Sequence, residues 1–235
     1  MSAAAVSRGI APAFIAVVLL ASAGVTPLYA QAKPQPRAST AKPRQPRTVS
    51  IGGYGMLGNI RFTATESFDA VLGTSTGFIF GGGARVGLPF GGLFVDVGAW
   101  RFQGEGERVF VFEDEVIPLG IPLEVTVTPI EISGGWRFSI RQLPKLSPYV
   151  AGGLTVMKYG ETSDASSNAD DVDETFSGYH LLGGAEYKIT RWLGLAGEAS
   201  WTTVPDSIGE AGVSAAFDET DLGGLTFRFK VTVGR

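Results

Sequence analysis

From residue 48 onward, apolar and polar positions alternate with a period of two, most cleanly at the end of the chain. In 222–235, Leu225, Phe227, Phe229, Val231 and Val233 share one parity, and Gly224, Thr226, Arg228, Lys230, Thr232 and Gly234 share the other. Successive side chains leave a strand in opposite directions, so the pattern predicts a strand with one apolar and one polar face. Similar stretches, separated by turn-forming residues, predict eight strands at 48–58, 76–88, 92–103, 123–140, 148–160, 175–189, 192–204 and 221–235. Connections after the second, fourth and sixth are tight. Those after the first, third, fifth and seventh are long (59–75, 104–122, 161–174 and 205–220). Such alternation in length is expected of an all-β, antiparallel, up-and-down transmembrane β-barrel whose long loops lie outside the cell.

Parity also predicts facing. Phe78, Phe80, Ala84, Val86 and Leu88 oppose Arg85 on the second strand. Tyr179, Leu181, Ala185 and Tyr187 oppose His180, Glu186 and Lys188 on the sixth. Leu193, Leu195, Ala199 and Trp201 oppose Glu198 and Ser200 on the seventh. The fourth strand needs a one-residue slip, because Val125 and Val127 set one parity and Ile130, Ile132, Trp136 and Phe138 the other. A bulge at Pro129 would supply it, since proline donates no ladder hydrogen bond. The third is less regular, with Asp96 sharing a face with Phe94 and Trp100. The first and fifth are too glycine-rich to assign.

The inward set then includes Arg85, Asp96, Glu131, Arg137, Glu186, Lys188, Glu198, Arg228 and Lys230, with His180 among them. Turned toward lipid, an Arg or Lys at the bilayer midplane would cost roughly 2–4 kcal/mol. Eight strands leave an interior that side chains can fill. The mixed charges therefore predict a plug of ion pairs in the lumen. Phe138, Tyr149, Tyr159, Tyr187, Trp192 and Trp201 sit at strand ends, where interfacial aromatic girdles are expected.

Residues 1–32 predict a signal-peptide helix, with Arg8, an apolar run at 10–25 and a small-residue cleavage site at Ala30-Gln31-Ala32. Residues 33–47, rich in proline and basic side chains, predict a disordered linker leading into the barrel at 48–235. The composition agrees with a barrel and narrows the chemistry. Glycine is abundant at 33 residues and mean hydropathy is only +0.18, unlike a multi-span helical protein. There is no cysteine and a single histidine, which removes thiolate chemistry and an imidazole-rich zinc site. No cofactor is implied. The net charge of −4 gives no case for nucleic acid.

Three segments, 128–138 (TPIEISGGWRF), 148–153 (PYVAGG) and 183–187 (GGAEY), resemble the barrel domains of small bacterial outer-membrane proteins of the OmpA/OmpX-like and OmpW-like group. The resemblance covers about residues 48–235. It implies outer-membrane lipid and lipopolysaccharide as surroundings, and insertion by the assembly machinery that reads the last strand. Gly224, Phe227 and Phe229 match the glycine-x-x-hydrophobic-x-hydrophobic element of that signal, and the chain ends Val233-Gly234-Arg235 without the common terminal aromatic.

Several motifs admit a plain and a sharper reading. The glycine run at 81–87 lacks the Lys-Ser/Thr of a phosphate loop and reads as barrel packing. The acidic loop 161–174 reads as a solvated loop, or as a weak calcium or magnesium site, though it has no turn glycine. His180 with Ser177, Ser200 or Glu198 could suggest a lipid A-modifying hydrolase, but a lone inward histidine more often fills a lumen. Phe110 and Phe112 predict strands three and four continuing into a protruding hairpin, either packed on neighbouring loops or free to bind an extracellular partner. Residues 65–73 predict one short helix stopped by Gly73. The expected function is a non-enzymatic barrel with a plugged lumen, whose loops serve envelope integrity or surface interaction. A narrow channel for small or apolar solutes, a lipid A-modifying enzyme and a soluble lipocalin-type carrier are the alternatives.

Overall fold

A computed structural model describes residues 49–112, 115–163, 172–209 and 212–234. The expected signal segment and linker, 1–47, lie outside the described residues. Eight strands follow in order: β1 (Ser50–Phe62), β2 (Thr76–Gly87), β3 (Leu93–Phe112), β4 (Glu115–Arg137), β5 (Leu146–Thr162), β6 (Val172–Lys188), β7 (Leu193–Thr203) and β8 (Gly224–Gly234). Two short helices interrupt the long connections, α1 (Thr65–Leu72) after β1 and α2 (Gly212–Ala216) after β7. Every strand pairs antiparallel with its sequence neighbours, and β8 returns to β1, from Gly52 opposite Gly234 to Phe62 opposite Gly224. Closure leaves the barrel wall without a free edge, which a sheet exposed to hydrocarbon requires.

The helix at 65 ends where the sequence places its stop. Gly73 adopts φ 71° and its N–H reaches the Asp69 carbonyl, a left-handed cap that suits glycine. β3 and β4 run far past the barrel wall as a hairpin, closing with Phe112 opposite Glu115.

The expected slip at Pro129 does not occur. Ala99 faces Ile130 and Phe102 faces Val127 in one unbroken register, with the ladder interrupted opposite the proline but not shifted. The register shift of this pair lies in the hairpin, between Glu107 and Val109. Parity on β4 is therefore continuous: Ile130 and Ile132 point out, while Val125 and Val127 point in and are fully buried. The sequence expectation failed there because the inner wall changes from ionic to apolar along the barrel axis.

Toward the long-loop end the interior is hydrocarbon. Ile60, Phe62, Ile79, Phe102, Val127 and Met157 fill it, and Phe68 of α1 stacks on Phe62 with ring centroids 3.9 Å apart. Tyr149 and Tyr159 also leave the expected girdle. Tyr149 is buried in the lumen, and Tyr159 packs on the apolar cluster with its hydroxyl donating to Glu161. Phe138, Tyr187, Trp192 and Trp201 remain exposed on the outer surface.

Candidate functional site

The lower half of the lumen holds a continuous set of ion pairs, and the backbone explains how it fits. Tyr54 lies flat across β2 and β3, where a Cβ on Gly83 or on Gly98 would come within 2.5 Å of its hydroxyl oxygen. Glycine at both positions lets that ring cross and donate to Asp96 Oδ1 at 2.6 Å. Tyr149 crosses Gly184 in the same way and donates to Glu198 Oε2 at 3.0 Å.

Arg228 is the centre of the set. Its two terminal nitrogens donate to the two oxygens of Glu131, each at 2.6 Å, its Nε to Thr226 at 3.1 Å, and Glu198 stands 3.5 Å away. Trp100 Nε1 adds a third donor to Glu131 at 3.0 Å. Lys230 donates to Glu198 at 2.7 Å and lies over the Tyr54 ring. Nearer the short-turn end, Arg85 donates to Asp96 at 2.7 Å between the faces of Phe94 and Tyr149, and Arg137 donates to Glu186 at 2.8 Å. Bidentate, charge-assisted pairing of this kind is what allows ions to be held away from water.

The structure thus brings together Arg85, Asp96, Glu131, Arg137, Glu186, Glu198, Arg228 and Lys230, four charges of each sign. Lys188 has the inward parity but stands apart. As the last residue of β6 it is exposed at the short-turn rim, beside a small vestibule of about 180 Å³ that Arg85 and Arg137 also line.

His180 is buried between two hydroxyls, with Nε2 2.7 Å from Ser133 and Nδ1 2.8 Å from Thr155. Both partners differ from those weighed on the sequence: Ser177 is exposed on the opposite face of β6, and neither Ser200 nor Glu198 bonds the ring. Among the described residues, no group of three or more His, Asp or Glu side chains is placed to hold a metal. Of the acidic loop, Asp164, Asp170 and Asp171 lie outside the described residues. Phe110 is exposed on the hairpin, and Phe112 marks its tip.

Above the hydrocarbon section the barrel opens into a cup of about 860 Å³. Its walls include Val71 and Leu72 of α1, Leu119 and Leu123 of β4, Phe176 of β6 and Ile208 in the last long connection. The Glu219 carboxylate secures one wall, accepting from the amides of Glu66 at 3.0 Å and Ser67 at 2.8 Å at the start of α1. A negative group there meets the unpaired N–H groups and positive dipole end of the helix. Sequence reasoning missed the cup and the apolar section below it. Their signal was the inward-parity set Met56, Ile60 and Phe62, hidden on a glycine-rich strand.

The outer surface decides where the molecule resides. Phe229 is 77 % exposed, Leu154 68 % and Leu181 62 %, within a belt of Leu, Val, Ile and Phe that encircles the wall. Apolar area on that scale belongs in hydrocarbon. The chain is an eight-stranded transmembrane barrel of the outer-membrane type.

No protein-family model matches the chain, and no curated protein is detectably similar in sequence. Solved structures of similar shape include neisserial surface protein A (12 % identity, 79 % of this chain and 95 % of that one, TM-score 0.48). A major outer membrane protein of Thermus thermophilus (13 %, 80 % and 99 %, 0.47) is another. The N-terminal β-barrel domain of Pseudomonas aeruginosa OprF (11 %, 79 % and 97 %, 0.42) is a third.

Proposed function

We propose that this chain is a sealed, non-enzymatic outer-membrane barrel that works through its long-loop end, in envelope integrity or surface interaction. The observation that carries this reading is the double closure of the lumen. Ion pairs fill one section and packed hydrocarbon the next, where Val127 and Met157 are fully buried. Residues 1–32 would direct export, 33–47 would form a periplasmic tether, and Gly224, Phe227 and Phe229 would present the assembly signal. Reconstituted vesicles should show no arabinose-driven swelling beyond protein-free vesicles. Swelling that scales with the amount of barrel would overturn the reading.

A passage for apolar solutes is the second reading, favoured by the aliphatic and aromatic part of the cup that opens outward. Part of the cup wall is charged, at Arg108, Glu161, Glu174 and Asp206, and passage requires the Phe62, Phe68 and Phe102 cluster to part. Uptake of a fluorescent alkane analogue into vesicles, dependent on the barrel, would favour it over the sealed form. For lipid A modification, the burial of His180 between Ser133 and Thr155 argues against a reactive role. A lipid A profile that changes with His180→Ala would contradict that assignment.

A further inference from the structure

We propose that the cup at the outer mouth is a binding site for cationic amphiphiles, molecules with an apolar body and a positively charged head. The inference deepens the surface-interaction reading above and rests on it.

The first observation is the cavity itself. At about 860 Å³ it lies within the size range of small-molecule sites, and its walls are chiefly aliphatic and aromatic. The Phe62–Phe68–Phe102 cluster lies beneath it and blocks entry to the lumen. An apolar body can therefore be buried from the outside without passing through.

The second observation, independent of the first, is charge. Glu161, Glu174 and Asp206 line the cup, against one basic residue, Arg108. The described parts of the long connections carry the same sign. Among the described residues of 63–75, 104–122, 161–174 and 204–223, twelve are acidic and Arg108 alone is basic. A cleft of low-dielectric walls beneath a field of one sign concentrates the opposite charge. An anionic amphiphile of equal apolar size would meet the same walls and be repelled at the rim.

Some of these acids already have structural work. Glu219 holds the start of α1, and Asp221 accepts from Thr203 and from the Val204 and Gly223 amides. Glu174 and Asp206 are exposed at the rim, where a cationic head would sit once its tail was buried.

The test uses the full chain folded in zwitterionic lipid nanodiscs with labelled Ile, Leu and Val methyl groups. It is titrated separately with decyltrimethylammonium, decyl sulfate and decyl maltoside. Saturable shifts are expected at Val71, Leu72, Leu123 and Ile208, with decyltrimethylammonium half-saturating at a concentration about tenfold below decyl sulfate. The triple variant E161Q/E174Q/D206N should keep the shifts and lose the preference. Val71→Trp, which fills the cup, should abolish saturation while the barrel stays heat-modifiable on a gel.

Equal affinity for the sulfate, a preference that survives in the triple variant, or shifts confined to lipid-facing methyls such as Leu57 and Leu154 would each overturn the proposal. A barrel that conducts would refute the sealed reading without touching this titration. A sealed barrel with no saturable cup shifts would refute the binding site alone.

Discussion

Arg228 on β8 grips Glu131 on β4 across the barrel axis, one terminal nitrogen to each carboxylate oxygen at 2.6 Å. The two residues are 97 positions apart in sequence. Neither is exposed, so each is the other's main compensation for leaving water. Removing one partner of such a pair costs about 3–5 kcal/mol, because the survivor remains charged and alone, whereas removing both leaves no orphan. Arg228→Leu and Glu131→Leu should therefore each destabilise the barrel by about that amount, and the double variant by less than their sum. Urea unfolding from lipid vesicles, run as a double-mutant cycle, measures the coupling. An additive double variant would show that the pair does not act as a unit.

Position 229 tests which face meets lipid. Phe229 lies on the outer wall beside Lys230, which is buried. Phe229→Arg should cost about 2–4 kcal/mol if that level of the wall lies near the bilayer midplane. The heat-modifiable folded fraction in vesicles reads the loss. A neutral outcome would mean that this part of the wall faces water.

The crossing of Tyr54 over glycine makes a steric prediction. A Cβ at Gly83 would collide with the Val97 carbonyl oxygen and stand 2.5 Å from the Tyr54 hydroxyl, whereas one at Gly55 meets nothing within 4 Å. Gly83→Ala should cost about 1–3 kcal/mol by overpacking and loosen the Tyr54–Asp96 hydrogen bond. Gly55→Ala should leave stability nearly unchanged. Equal effects at the two sites would contradict this packing.

The clamp between the last long connection and α1 is equally specific. Glu219→Ala removes the acceptor for two helix-start amides, a loss of about 1 kcal/mol by the energetics of helix caps. Hydrogen exchange at Glu66 and Ser67 should accelerate while exchange in β8 does not. Unchanged protection at those two amides would mean that the carboxylate contributes nothing to holding α1.

Much of the wall is legible in sequence because ionic and apolar residues alternate on β2, β6, β7 and β8. Where Arg228 and Lys230 interleave with Phe227 and Phe229, parity alone fixes facing. Parity loses its meaning where the lumen itself becomes apolar. Val125 and Val127 face inward among Ile60, Ile79 and Met157, so hydrophobicity there no longer signals lipid, and the apparent slip at Pro129 was a change of interior chemistry. Lys188 shows a different limit: its parity is right, but its height at the end of β6 puts it in water. Tyr149, expected in the outer girdle, and Tyr54, on a strand left unassigned, turn inward over glycines of neighbouring strands, a relation that a single strand's pattern does not contain. The cup depends on four separate connections coming together, and no local pattern describes that.

Single-channel recording tests the sealed lumen most directly. Wild-type protein in a planar bilayer at neutral pH and high salt should give no discrete openings. A variant with both plugs reduced, such as Arg228→Ser, Glu131→Ser, Phe62→Ala and Phe102→Ala together, should open a measurable conductance if it still inserts. Steady openings of the wild-type barrel would contradict the account.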